Sequence, residues 1–132
     1  MIDKVVIDTN IYISAIFWSG NPRKIVDLGR KEKILVFICS EIENEITEKL
    51  KTKFRLKAEE INQIVLDFSS FTIPVKISKR VQAVVDDPED NKFIECAIAS
   101  KAKYIISGDN HLLKLKRYNK IEIITARDYL NL

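Results

Sequence analysis

Two acidic residues of this chain stand just beyond apolar, strand-like runs. In KVVIDTN, residues 4–10, an apolar β-branched run stops at Asp8. In YIISGD, residues 104–109, a second run is followed one glycine later by Asp109. DDPEDNKF, residues 86–93, packs Asp86, Asp87, Glu89 and Asp90 into five positions. SEIENEITEKL, residues 40–50, carries Glu41, Glu43, Glu45 and Glu48. If the two strands are neighbours, Asp8 and Asp109 converge at one sheet edge. Like charges held close are costly unless a positive charge lies between them. A divalent cation meets that need, and carboxylate oxygens suit Mg²⁺ or Mn²⁺. The alternative is that each acid caps the helix after it.

The other acids carry the same ambiguity. Asp87 can serve as a helix N-cap, with Pro88 at the first helical position and Glu89 and Asp90 complementing the helix dipole. Asp90 precedes Phe93 by three residues, on the side expected to face inward, and is the acid of this group best placed to complete a metal site. On the helix opened by Ser40, the residues Ile42, Ile46 and Leu50 mark the buried stripe. Glu43 fits a capping box with Ser40, and Glu48 faces solvent. Glu45 is left without a structural task, though a solvated acidic face is the commoner explanation for such a run. His111 is the only histidine, and no Ser–His–Asp or Cys–His arrangement suggests itself.

These acids need elements to position them. The runs at 5–7, 34–38, 104–107 and 121–124 are continuous rather than alternating, as in strands buried on both faces of a parallel sheet. Helical patterns lie between them: 10–17, a helix starting near Pro22, one from Ser40, one over 57–72, one from Asp87 to about Lys101, and a short one after Asp109. A last helix in TARDYL is capped by Thr125 with Asp128 three residues on. Strands alternating with helices predict an α/β fold: one doubly wound, mainly parallel sheet of four or five strands with helices on both faces, forming a single domain over 1–132. Such sheets bind ligands beyond the carboxyl ends of their strands, where strand order reverses.

Composition narrows the class. Hydrophobic residues make up 46% and charged residues 31%, a soluble globular balance. Three Gly and three Pro are too few for an all-β fold of tight turns. Cys39 and Cys96 are far apart and form no CxxC pattern, which argues against a zinc site or a disulfide framework. Asp3 and Asp8 fall too early for a secretory signal, and IYISAIFW is too short to span a membrane. A cytoplasmic protein is expected. The net charge of +3 permits an anionic partner without demanding one.

With these residues in hand, the chain resembles the PIN-domain family, and within it the VapC-like toxins of prokaryotic toxin–antitoxin pairs. The resemblance rests on VVIDTN, SEIENEI, DPEDNKFIECAIASKAKYIISGD and ITARDYL. It implies an endoribonuclease dependent on Mg²⁺ or Mn²⁺, leaving 5′-phosphate and 3′-hydroxyl ends. Matched by motif, it selects Asp8, Glu45, Asp90 and Asp109 as the catalytic, metal-holding acids. Thr9, Asn10 and Ser107 match supporting positions. Many relatives carry a second Asp two residues after the fourth acid; here His111 stands there, which bears on a second metal. The family also implies an RNA substrate, a cognate antitoxin and a homodimer. KTKFRLK (51–57) and KLKRYNK (114–120) are candidate RNA contacts, each with an aromatic residue for base stacking, and Trp18 could stack or fill a subunit contact. Three rivals differ in kind. A catalytically inactive PIN-like binding module keeps the scaffold alone. An aspartyl-phosphate phosphatase needs Asp-x-Asp, and Asn10 breaks that pattern. A receiver domain needs an acid where the strand before Ser40 ends in Cys39.

Overall fold

The computed structural model describes residues 1–132. Strand β1 is Lys4–Ile7, followed by α1 (Thr9–Phe17) and α2 (Asn21–Arg30). Strand β2 (Leu35–Ile38) leads to α3 (Ser40–Thr52) and α4 (Ala58–Ser69), then to β3 (Thr72–Pro74). An irregular connection ends in a 3-10 turn at Pro88–Asp90 and enters α5 (Asn91–Ser100). The chain closes with β4 (Tyr104–Ile106), α6 (Asn110–Leu113), β5 (Arg117–Tyr118), β6 (Ile121–Ile124) and α7 (Ala126–Leu130).

The strands form one sheet in the order β3-β2-β1-β4-β6-β5, parallel except for the β5–β6 pair. From β1 the chain steps outward twice, to β2 and β3, then returns to the other side of β1 at β4. Right-handed crossovers therefore place α1 to α4 on one face and α5 and α6 on the other. Val5, Val6 and Ile7 are fully buried, so both faces of β1 are covered. The continuous apolar runs of β1 and β4 reflect that double covering, whereas in β2 Leu35 and Phe37 are only partly buried.

Six strands exceed the four or five expected. The two extra ones lie at the edges and are short. β3 contains Pro74, which lacks an amide proton and is tolerated only where the ladder ends. β5 is two residues long and turns back into β6 through Asn119, whose φ of 54° suits asparagine. Two helix starts also differ. Ser40 is not an N-cap: Cys39 takes that place, and the Ser40 hydroxyl, already inside the helix, donates to Glu41 Oε1 at 3.0 Å. Asp87 makes no side-chain cap, because Pro88–Asp90 winds as a 3-10 turn and α5 begins only at Asn91. The cap at Thr125 forms as expected, its Oγ1 accepting from the Asp128 amide at 3.1 Å. No helix is long and apolar enough to cross a membrane.

Candidate metal centre

The point where strand order reverses lies between β1 and β4, and Ile7 pairs with Ile106 across it. Asp8 follows Ile7 directly, and Asp109 stands three residues after Ile106. The register therefore brings both acids to the same edge. Asp8 is 2% exposed and caps α1, its Oδ1 accepting from the Ile11 amide at 3.0 Å. Its Oδ2 accepts from the Ser107 hydroxyl and from the Gly108 amide at 3.3 Å. Burial pushes the Asp8 carboxyl above its ordinary value; those donors pull the other way, and the charge of Asp109 adds to the rise. Capping and convergence thus coexist in one side chain.

Asp109 caps α6 through Oδ1, which accepts the His111 amide at 2.7 Å. Its own amide donates to Ser107 Oγ at 2.9 Å. Asp90 comes from the opposite direction, at the end of the 3-10 turn. It is 7% exposed, and its Oδ2 is buried with no hydrogen-bond partner. Burial first, and then the neighbouring charge of Asp109, push the Asp90 carboxyl up to about 7. An acid kept this far from water beside a second acid is costly, and the nearby charge of Lys92 offsets that only in part.

Glu45 reaches the same space from α3. One oxygen accepts from the Thr9 hydroxyl and the other from Lys92 Nζ at 2.8 Å. Burial acts to raise its carboxyl, but the Lys92 ammonium and the Thr9 hydroxyl outweigh that and hold it below the usual value. Lys92 also donates to the Glu89 carbonyl at 2.8 Å, which ties α3 to the turn that carries Asp90. Asn10 points along the rim, where its Oδ1 accepts from Lys49 Nζ at 3.2 Å.

Asp8, Glu45, Asp90 and Asp109 together line one cavity of about 150 Å³, with Thr9, Asn10 and Lys49 on its wall. Ser107 lies behind it, fully buried. Asp87, Asp90, Asp109 and His111 each offer a ligand atom within 4.8 Å of the others. Asp87, Lys49 and Lys92 were not legible as site residues. Asp87 has a ready reading as a cap, and a lysine's partner across two helices leaves no local signal. The oxygen-rich set and the unsatisfied Asp90 Oδ2 fit a hard divalent cation.

The basic stretches are less free than their composition suggests. Phe54 stacks on Phe17 with centroids 4.6 Å apart, so it is not available to a base. Lys114 pairs with Asp86, and Arg117 with Glu122.

A doubly wound sheet with a carboxylate cavity at its reversal point defines a fold and a site together. The family model for the PIN domain matches residues 4–111, and the chain belongs to that family. It is 41% identical over 122 residues to an uncharacterized protein of Methanocaldococcus jannaschii, covering 89% of this chain and 77% of that one. Among solved structures it resembles a chain of VapBC2 from Rickettsia felis bound to a promoter DNA fragment. The TM-score is 0.63 at 16% identity, with 91% of this chain and 96% of that one covered. It also resembles PAE2754 from Pyrobaculum aerophilum, with TM-score 0.62 at 15% identity over 98% and 88% of the two chains.

Proposed function

We propose that the protein is an endoribonuclease dependent on Mg²⁺ or Mn²⁺, acting as the toxin of a toxin–antitoxin pair in the cytoplasm. The observation that carries the reading is the buried, unpartnered Asp90 Oδ2 beside Asp109, in a cavity that Asp8 and Glu45 also line. Asp8, Asp90 and Asp109 would hold the cation, with Glu45 completing the acidic wall. The bound cation would polarise a phosphate oxygen and lower the pKa of an attacking water.

The chain's own residues do the rest. Ser107 fixes the rotamer of Asp8. Thr9 and Lys92 orient Glu45 and keep it ionised. Lys49, on the rim, offers a positive charge to the RNA backbone. The likeness to the VapBC2 chain supports an antitoxin partner. Trp18 is 59% exposed and packs edge-on against Phe17, which leaves its ring open to a subunit contact in a homodimer or to a base.

The test is cleavage of labelled single-stranded RNAs with Mn²⁺ or Mg²⁺, with EDTA, and by Asp8→Asn. Cleavage that needs the cation and is lost in the variant supports the assignment. No cleavage across varied RNAs, together with no cation binding by calorimetry, would sink it in favour of an inactive scaffold.

A further inference from the structure

We infer that His111 and Asp87 are ligands of the cation at this site, and that the imidazole makes it select a transition metal such as Mn²⁺ over Mg²⁺. The inference rests on the metal-dependent reading above and deepens it. His111 Nδ1 lies 3.7 Å from both Asp87 Oδ2 and Asp109 Oδ1. With Asp90, these side chains put their ligand atoms within 4.8 Å of one another. A cation with bonds of about 2.1 Å sets its ligand atoms about 3.0 to 4.2 Å apart in an octahedron. The cluster therefore needs only a small contraction.

Two observations beyond the clustering of acids point to a ligand. Asp90 is 7% exposed and lines the cavity, yet its Oδ2 has no partner. Asp87, in the sequence position of a helix cap, makes no cap, so its carboxylate is free to face His111. Nor is the position of His111 accidental: its amide donates to Asp109 Oδ1 at 2.7 Å, which holds the residue beside Asp109. The His111 side chain is 46% exposed, so its outer side opens to water. Carboxylates suit Mg²⁺ and Mn²⁺ alike, whereas an imidazole nitrogen is a better ligand for a transition-metal cation than for the harder Mg²⁺. Adding one imidazole to the acids that hold the cation thus shifts preference toward the transition metal.

The competing arrangement is a protonated His111 that itself neutralises Asp87 and Asp109. The two make opposite predictions. Calorimetry with Mn²⁺ and Mg²⁺ on the wild type, His111→Ala, His111→Gln and Asp87→Asn decides between them. Electron spin-echo spectroscopy of bound Mn²⁺ reads the nitrogen directly. A ligand role predicts a nitrogen coupling that disappears in both His111 variants. It also predicts Mn²⁺ affinity lowered roughly tenfold or more, and Mg²⁺ affinity changed by less than about threefold. Asp87→Asn should weaken both cations. Unchanged or tighter Mn²⁺ binding in His111→Ala, or no nitrogen coupling in the wild type, overturns the assignment. Such a result alongside cation-dependent RNA cleavage leaves the nuclease standing. Loss of all cation binding and cleavage in the wild type removes both.

Discussion

Ser107 joins two acids of the site through one oxygen: its hydroxyl donates to Asp8 Oδ2 and accepts from the Asp109 amide at 2.9 Å. Residues from two strands are thereby locked in register beyond the sheet itself. Ser107→Ala should leave Asp8 Oδ2 with the longer Gly108 bond and strand the Asp109 amide. The expected loss is about 1–3 kcal/mol, read by urea denaturation of the metal-free protein. A loss well under that range would show that the hydroxyl positions nothing.

Asp90 makes metal-free stability depend on pH. Its carboxyl is raised from 3.8 to about 7, so the folded state holds its proton longer than the unfolded chain. Stability from this group is full below about 4 and is lost as pH rises to about 7. Asp90→Asn should flatten that part of the profile and make the metal-free protein more stable at neutral pH, while abolishing cleavage. Thermal melts in EDTA from pH 4 to 8 would measure it. Parallel profiles for variant and wild type would contradict the assignment.

The Lys92–Glu45 pair should behave in the opposite sense. Glu45 is held below its usual 4.5, so its contribution is present above that value and fades as pH falls through the lowered one. Lys92→Met should cost about 1 kcal/mol at pH 7, a difference that closes in acid. Cleavage should fall with Glu45 less well ordered. Chemical denaturation at pH 7 and pH 3 provides the comparison.

Lys49 carries a prediction about salt. Its ammonium sits at the cavity rim with only Asn10 as a side-chain partner. Lys49→Ala should weaken RNA binding and reduce the slope of log affinity against log salt by about 1. The ion-paired Lys114 and Arg117 should contribute less. Equal slopes for wild type and Lys49→Ala, by fluorescence anisotropy in EDTA, would place the RNA elsewhere.

What the sequence revealed followed from repetition and local chemistry. β1 and β4 were legible because full burial writes an unbroken apolar run, and β2 and β6 because they are short and largely apolar, although Leu35, Phe37 and Glu122 are only partly buried. Thr125 was legible because a cap and its partner lie three residues apart. Asp8 and Asp109 could be brought together only by assuming that their strands were neighbours, which the Ile7–Ile106 pairing now supplies. β3 and β5 were hidden because edge strands of two or three residues carry Pro74 and polar side chains instead of such a run. Lys92 was hidden for a different reason. Its partner Glu45 lies 47 residues away, and only the packing of α3 near α5 brings them together.

The short margins of the sheet have a consequence for assembly. On one side Pro74 removes a donor from the last strand; on the other, β5 offers two residues before it turns. Neither margin is a template long enough for a foreign strand to zip against. Sheet-to-sheet growth is therefore closed at both ends. A second copy of this chain must instead meet it through helices and loops, and aggregation by edge addition is disfavoured even when the molecule is crowded.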